Sequence, residues 1–146
     1  MANILGYNFP DDMYFEKEHV YAHPQPDGTV VCGMSQFYAK EAGELVYIDL
    51  PFEGDEIEAG QVMGKLQSAK YVGKLNAPVG GEIVAINGDV QDRAELINED
   101  PYGKGWILKV KPSNLEDDLK KLIHGVGPVT EWIAAEKKRA EEAQKK

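Results

Sequence analysis

The sequence predicts a mainly β fold, a small β-sandwich with short helices and a C-terminal helical extension. Three observations predict it. The first is an internal repeat, in which Gly43-Glu44-Leu45-Val46-Tyr47-Ile48 returns 38 residues later as Gly81-Glu82-Ile83-Val84-Ala85-Ile86. Each copy is followed by a Gly-Asp pair, Gly54-Asp55 and Gly88-Asp89, expected to turn, and then by an apolar residue, Ile57 or Val90. Two related strand–turn units suggest two similar halves packed face to face. The second is Val62-Met63-Gly64-Lys65-Leu66 and Leu75-Asn76-Ala77-Pro78-Val79-Gly80-Gly81-Glu82-Ile83-Val84, two apolar stretches separated by a polar break. The third is that apolar residues fall at helical spacing over a sustained stretch only from Ser113 onward.

The elements follow in order. Met13-Tyr14-Phe15 and Val20-Tyr21-Ala22 read as short strands, and Asp27-Gly28 makes a hairpin turn into Thr29-Val30-Val31-Cys32-Gly33-Met34. Ser35 is an N-cap for a short helix through Phe37 and Ala39, stopped by Gly43. The polar break 67–73 is a tight turn between strands, and Pro78 with Gly80-Gly81 marks the next turn. Residues 92–97 suggest one helical turn, residues 100–105 a loop, and Trp106 to Val110 a closing strand with Trp106 facing the interior. Ser113-Asn114-Leu115-Glu116 has the capping-box pattern, and Leu115, Leu119 and Leu122 share a helical face. Gly125 and Gly127-Pro128 should end that helix, with another beginning near Val129 on an apolar face of Val129, Trp132 and Ile133. Beyond Ala135 the tail reads as a fraying solvated helix or a disordered segment, with Glu141–Lys145 and Glu142–Lys146 as i,i+4 pairs. The expected organisation is a body over residues 1–125 and a helical extension over 126–146.

Composition narrows the function. The 146 residues carry a net charge of −9, and because Glu136–Lys146 is locally +2, residues 1–135 carry −11. Such a surface repels nucleic acid and anionic lipid and favours basic patches on partners. No apolar run approaches the roughly 20 residues of a membrane span, and the first residues lack a charged, then apolar, leader. A soluble cytoplasmic protein is expected. Cys32, the single cysteine, cannot form an internal disulfide and lies in an apolar strand, where a buried inert thiol is the default. His19, His23 and His124 show no metal-ligand spacing with each other or with Cys32, and no nucleophile triad or phosphate-cradling loop is visible. The chain is expected to have no catalysis of its own.

What remains is Lys70. It lies in the turn Gln67-Ser68-Ala69-Lys70-Tyr71-Val72-Gly73, where a hairpin tip holds an amine in water within reach of a modifying enzyme. A carrier lysine needs that placement. Lys65 within a strand and Lys74 past the tip are presented less well.

Gln67-Ser68-Ala69-Lys70 followed by Leu75-Asn76-Ala77-Pro78-Val79-Gly80-Gly81-Glu82-Ile83 resembles the lipoyl-lysine hairpin of the glycine cleavage system H protein family. That family's usual order is Glu-Ser-Val-Lys-Ala, then Leu-Tyr-Ala-Pro-Val-Ser-Gly-Glu-Val. Lys17-Glu18-His19-Val20-Tyr21 is similar to its Lys-Glu-His-Glu-Trp. The stretch from Gly43 to Pro51 is similar to its Gly-Asp-Ile-Val-Phe-Val-Glu-Leu-Pro. Glu95-Leu96-Ile97-Asn98-Glu99-Asp100-Pro101-Tyr102-Gly103-Lys104-Gly105-Trp106 follows its Glu-Leu-Val-Asn-Glu-Asp-Pro-Tyr-Gly-Glu-Gly-Trp. The resemblance runs over roughly residues 11–113. It implies a hammerhead sandwich of the lipoyl/biotinyl type, with lipoic acid amide-linked to Lys70 and Gln67, Ser68, Ala69 and Tyr71 flanking it. Biotin carriers usually set methionine on both sides of their lysine, so Ala69 and Tyr71 favour lipoate.

The resemblance implies a swinging arm whose lipoamide disulfide visits partner active sites while covalently tethered. The implied partners are a lipoate ligase or transferase and, in glycine cleavage, a decarboxylase, an aminomethyltransferase and a dihydrolipoyl dehydrogenase. The hairpin departs from the family at Gln67, Ala69, Tyr71 and Lys74, losing two negative charges at the tip and gaining one positive. The Trp132 helix is expected to extend beyond the usual end of the family. These departures resemble a divergent branch of lipoate-binding proteins that serves heterodisulfide-reductase-like, sulfur-oxidising complexes. The expectation favours that branch, with the glycine cleavage carrier as the alternative. A reading of another class is an unmodified β-sandwich adaptor that binds through its acidic face and the Trp132 helix.

Overall fold

Two antiparallel sheets face each other across the core of the computed structural model, which describes residues 2–4, 7–9, 12–41, 43–69 and 72–144. The strands are β1 (Ala2–Ile4), β2 (Tyr7–Phe9), β3 (Tyr14–Phe15), β4 (Val20–Pro24), β5 (Val30–Met34), β6 (Leu45–Asp49), β7 (Glu56–Ile57), β8 (Val62–Ser68), β9 (Val72–Asn76), β10 (Gly81–Ile86) and β11 (Leu108–Pro112). The helices are α1 (Gln36–Glu41), α2 (Gly88–Asp92), α3 (Leu96–Glu99), α4 (Leu115–Lys120) and α5 (Val126–Gln144). One sheet has six strands in the order β3-β4-β5-β11-β10-β7, the other three in the order β6-β8-β9, and β1 and β2 form a separate ribbon that the sequence reading did not foresee. The mainly β sandwich with short helices is therefore present. The two repeat copies supply one strand to each sheet, β6 and β10.

Alternation builds the core between the sheets. Val20 and Ala22 of β4, Val30, Cys32 and Met34 of β5, Ile83 of β10, and Leu108 and Val110 of β11 meet Leu45, Ile48, Met63, Leu66 and Leu75 from the smaller sheet. On the other face of β4, Tyr21 does not meet water either. Tyr21 points away from this core into a second cluster with Phe9, Met13, Phe15, Phe37, Val129 and Ile133. Its hydroxyl donates to the Pro101 carbonyl at 2.8 Å, and its ring lies across Gly33, the residue directly opposite. A Cβ at position 33 would come within 2.6 Å of the Tyr21 hydroxyl, so only glycine leaves room for that ring. The six-stranded sheet is thus covered on one face by the smaller sheet and on the other by α5, α1 and β2.

Five local expectations are corrected. Gly88-Asp89 opens α2 instead of turning, because the Asn87 side chain accepts the Asp89 N–H and caps the helix. The single helical turn over residues 92–97 is split, since α2 ends at Asp92 and α3 starts at Leu96. No side-chain capping bond forms at Asn114, so the capping box from Ser113 is not made. Gly127-Pro128 does not interrupt the last helix but sits in its first turn, where a missing N–H costs nothing, and that helix begins at Val126. It continues to Gln144, so the tail is helical as far as that residue; the side chains of 140–144, and Lys145 and Lys146 with the i,i+4 pairs assigned to them, lie outside the description.

The fifth correction concerns Trp106. The closing strand begins two residues later, at Leu108, and Trp106 is only half-buried, with the Lys109 ammonium 5.5 Å from its ring centroid. Ile107 and Leu108 are both fully buried, so the alternation that would have turned Trp106 inward fails at this point. Trp106→Ala should cost well under the ~3–5 kcal/mol of a fully buried tryptophan. Urea unfolding that showed a loss in that full range would place the ring back in the core.

Candidate functional site: the β8–β9 hairpin

The hairpin is set by cross-strand pairing from its base to its tip. Val62 lies opposite Asn76, Lys65 opposite Lys74, Leu66 opposite Gly73 and Gln67 opposite Val72. The pairing fixes where the connection between β8 and β9 starts and ends, at Ser68 and Val72. Leu66 and Leu75 anchor both strands in the core with no exposure. Gln67 and Ala69 are exposed, Ser68 is buried, and Val72 is 69% exposed. Lys70 and Tyr71 lie outside the described residues. Lys65 and Lys74, the rival lysines, face each other on the strands themselves.

The hairpin is held near its tip by α1 and at its root by the turn between β3 and β4. A Cβ at Gly73 would run into the Tyr38 hydroxyl, so glycine lets α1 close against β9. Burial raises the Tyr38 phenol above its ordinary range. Glu16, 8% exposed, accepts the Glu18 N–H at 2.6 Å and a bond from the Asn76 side chain at the end of β9. Burial pushes its carboxyl up despite those bonds. Asn76 Oδ1 and Trp132 Nε1 are the described buried side-chain atoms that lack a partner.

His19 closes the same turn in a left-handed conformation, φ +77°, which costs a non-glycine residue free energy. Its contacts offset that cost. The ring stacks against Phe37 at 5.2 Å and Trp132 at 4.6 Å, Nδ1 lies 3.2 Å from Ser35 Oγ, and Nε2 lies 3.0 Å from Glu136 Oε1. The His19 bond, more than the nearby Arg139, holds the Glu136 carboxyl below its usual range. His19 thereby ties α1 and α5 to the sheet.

The other reactive side chains are accounted for. Burial alone drives the Cys32 thiol far up, so it is a core residue. His23 pairs with Asp12 at 2.8 Å, and His124 stacks on Tyr14 and bonds the Met13 carbonyl. No group of three metal-ligating side chains exists among the described residues.

Sequence reasoning missed one organiser. Asn98 donates to the Ala39 and Gly43 carbonyls at 2.6 and 2.7 Å and accepts the Leu45 N–H at 2.8 Å. One amide thus joins α3 to the end of α1 and the start of β6, the strand beside the hairpin. The asparagine within the Glu95–Trp106 motif was the only signal, and nothing local indicated its partners.

The family model described as glycine cleavage H-protein matches residues 13–135. The match takes in Val129, Trp132 and Ile133, which corrects the expectation that this helix lies beyond the family's usual end. The probable glycine cleavage system H protein of Pyrococcus abyssi is 42% identical over 123 residues, covering 84% of this chain and 91% of that protein. The glycine cleavage system H protein of Bacteroides fragilis is 37% identical over 120 residues, covering 82% and 94%. The crystal structure of a glycine cleavage system H protein from Mycobacterium marinum superposes with a TM-score of 0.68 at 34% identity, over 72% of this chain and 87% of that one. The mainly β fold is thus that of a known lineage, and the chain belongs to the glycine cleavage H-protein family.

Proposed function

We propose that this protein is a lipoyl carrier of the glycine cleavage type, with lipoic acid amide-linked to Lys70 and no catalysis of its own. The observation that supports this most is the hairpin: paired to Gln67 and Val72 and anchored by Leu66 and Leu75, it makes the segment containing Lys70 its connection. Ala69 and Val72, exposed on either side, leave room for a ligase or transferase to close over that segment. When attached, lipoamide supplies a cyclic disulfide on a flexible tether. The chain's own part is to fix where the tether starts, so that a partner meets the arm at high effective concentration. The expected partners are the decarboxylase, aminomethyltransferase and dihydrolipoyl dehydrogenase of glycine cleavage, as the names of the relatives suggest.

This reverses the preference drawn from the sequence. The sulfur-oxidising branch, with a heterodisulfide-reductase-like partner, stands second; what favours it is that two of the departures, Gln67 and Lys74, are exposed on the hairpin's outer face. Among the described residues no helix is long and apolar enough to cross a membrane.

Protein made in a lipoate-competent host should carry one lipoyl mass increment, mapped by peptide sequencing to Lys70. Once loaded, it should support glycine–bicarbonate exchange with a purified pyridoxal-phosphate glycine decarboxylase. An unmodified protein would favour the adaptor reading. A lipoylated protein inert in exchange would favour the sulfur branch.

A further inference from the structure

The outer face of the three-stranded sheet carries side chains that the fold itself does not use. Tyr47, Gln67 and Val72 lie directly opposite one another across β6, β8 and β9, so their side chains share one face. All three are exposed, Tyr47 at 56% and Val72 at 69%. A register shift between Leu45 and Tyr47 adds Val46, 63% exposed, to the same strand's open side. The next row is Asp49, Lys65 and Lys74, again mutually opposite and exposed. Among the described residues neither lysine has an ion-pair partner, although the chain as a whole carries −9. A run of apolar side chains beside two free cations is wasteful on a solvated sheet face. It suits a surface that is periodically covered.

We propose that this face is where the pyridoxal-phosphate glycine decarboxylase docks, seating Tyr47 and Val72 in an apolar depression whose rim carries carboxylates for Lys65 and Lys74. The inference rests on the carrier reading and adds to it the docking surface and the chemistry of the partner. Two features select this occupant. The face is continuous with the tether, since Gln67 and Val72 are the last paired residues before the segment holding Lys70, so an enzyme seated here has the arm at its edge. The unpaired lysines call for an acidic rim, which the rest of this acidic chain would repel, so encounter is steered to this one face.

The test uses full-length, fully lipoylated protein, checked by intact mass, with a purified pyridoxal-phosphate glycine decarboxylase as the probe. Exchange is measured against carrier concentration at low and at physiological salt. Lys65→Glu with Lys74→Glu should raise the KM for the carrier by about 10-fold at low salt with kcat little changed, as expected for rim charges that govern encounter. Raising salt should weaken the wild type and narrow the gap. Tyr47→Ser should raise KM independently of salt, whereas Lys111→Glu, on the other sheet, should leave it unchanged. Unchanged KM in both the double lysine variant and Tyr47→Ser overturns the docking face while leaving the carrier reading intact. So does a concentration-dependent dimer, seen by sedimentation, that dissociates on Tyr47→Ser, because a second copy would then be the occupant. A lipoylated wild type that supports no exchange overturns this inference together with the glycine cleavage reading.

Discussion

Asn98→Ala should destabilise the protein by about 2–4 kcal/mol, because one truncation strands three backbone groups at once. The Leu45 N–H loses its acceptor, and the Ala39 and Gly43 carbonyls lose their donors. These groups lie where α1 ends and β6 begins, beside the fully enclosed Leu45, so water reaches them poorly. Asn98→Asp separates the contributions. It keeps an acceptor for Leu45 but removes both donors and sets a carboxylate against two carbonyl oxygens, so it should be no better than alanine. Urea unfolding with an unchanged m-value measures the loss directly. A cost below about 0.5 kcal/mol would mean that solvent replaces the amide, and that β6 is held by its pairing with β8 alone.

Asn98 also shows where sequence reading stops. Its partners are 53 to 59 residues away, and no local pattern encodes such a contact. The hairpins were legible because their information is local: Asp27-Gly28 just before the β-branched run Thr29-Val30-Val31, and the polar break between Leu66 and Leu75. The first helix was legible for the same reason, as Ser35 Oγ accepts the Tyr38 N–H. Where two local signals competed, the weaker-looking one prevailed. Gly88-Asp89 has turn chemistry, yet Asn87 is also an N-cap, and its amide donates to the Lys104 and Trp106 carbonyls as well. That second role pins the segment before β11 and leaves Trp106 outside the alternation. Gly127-Pro128 looks like a stop, but proline in a first turn permits a start equally well. The attachment of α5 was only half visible. Val129, Trp132 and Ile133 marked its apolar face, while the Glu136–His19 contact spans 117 residues.

The candidate site divides in the same way. Lys70 emerged from its place in a hairpin and from the family motif around it, both linear properties. The sheet face beside it did not, because Tyr47, Gln67 and Val72 are joined only by register, and a one-residue slip would turn every side chain on a strand to the opposite face. The bulge between Leu45 and Tyr47 is what allows Val46 and Tyr47 to face outward while Leu45 and Ile48 stay buried.

Lys70→Arg should abolish carriage and leave the fold untouched. Arginine keeps the positive charge and nearly the same reach, but its guanidinium stays protonated at any pH a ligase works in, so no nucleophilic amine is offered for the amide bond. The lipoyl mass increment should vanish, and glycine–bicarbonate exchange with it. Stability should hold, because the hairpin is anchored elsewhere: Leu66 and Leu75 are fully buried, Gly73 admits Tyr38, and the Asn76 side chain bonds Glu16. An unchanged thermal midpoint is therefore part of the expected result, and it distinguishes loss of the attachment point from loss of the protein. The two neighbouring lysines are the internal control. Lys65 and Lys74 sit on paired strands rather than in the connection, and a ligase that reads the hairpin should pass over both. An increment that survives in Lys70→Arg and maps to Lys65 or Lys74 would mean that attachment follows exposure alone, and the assignment of Lys70 would fall.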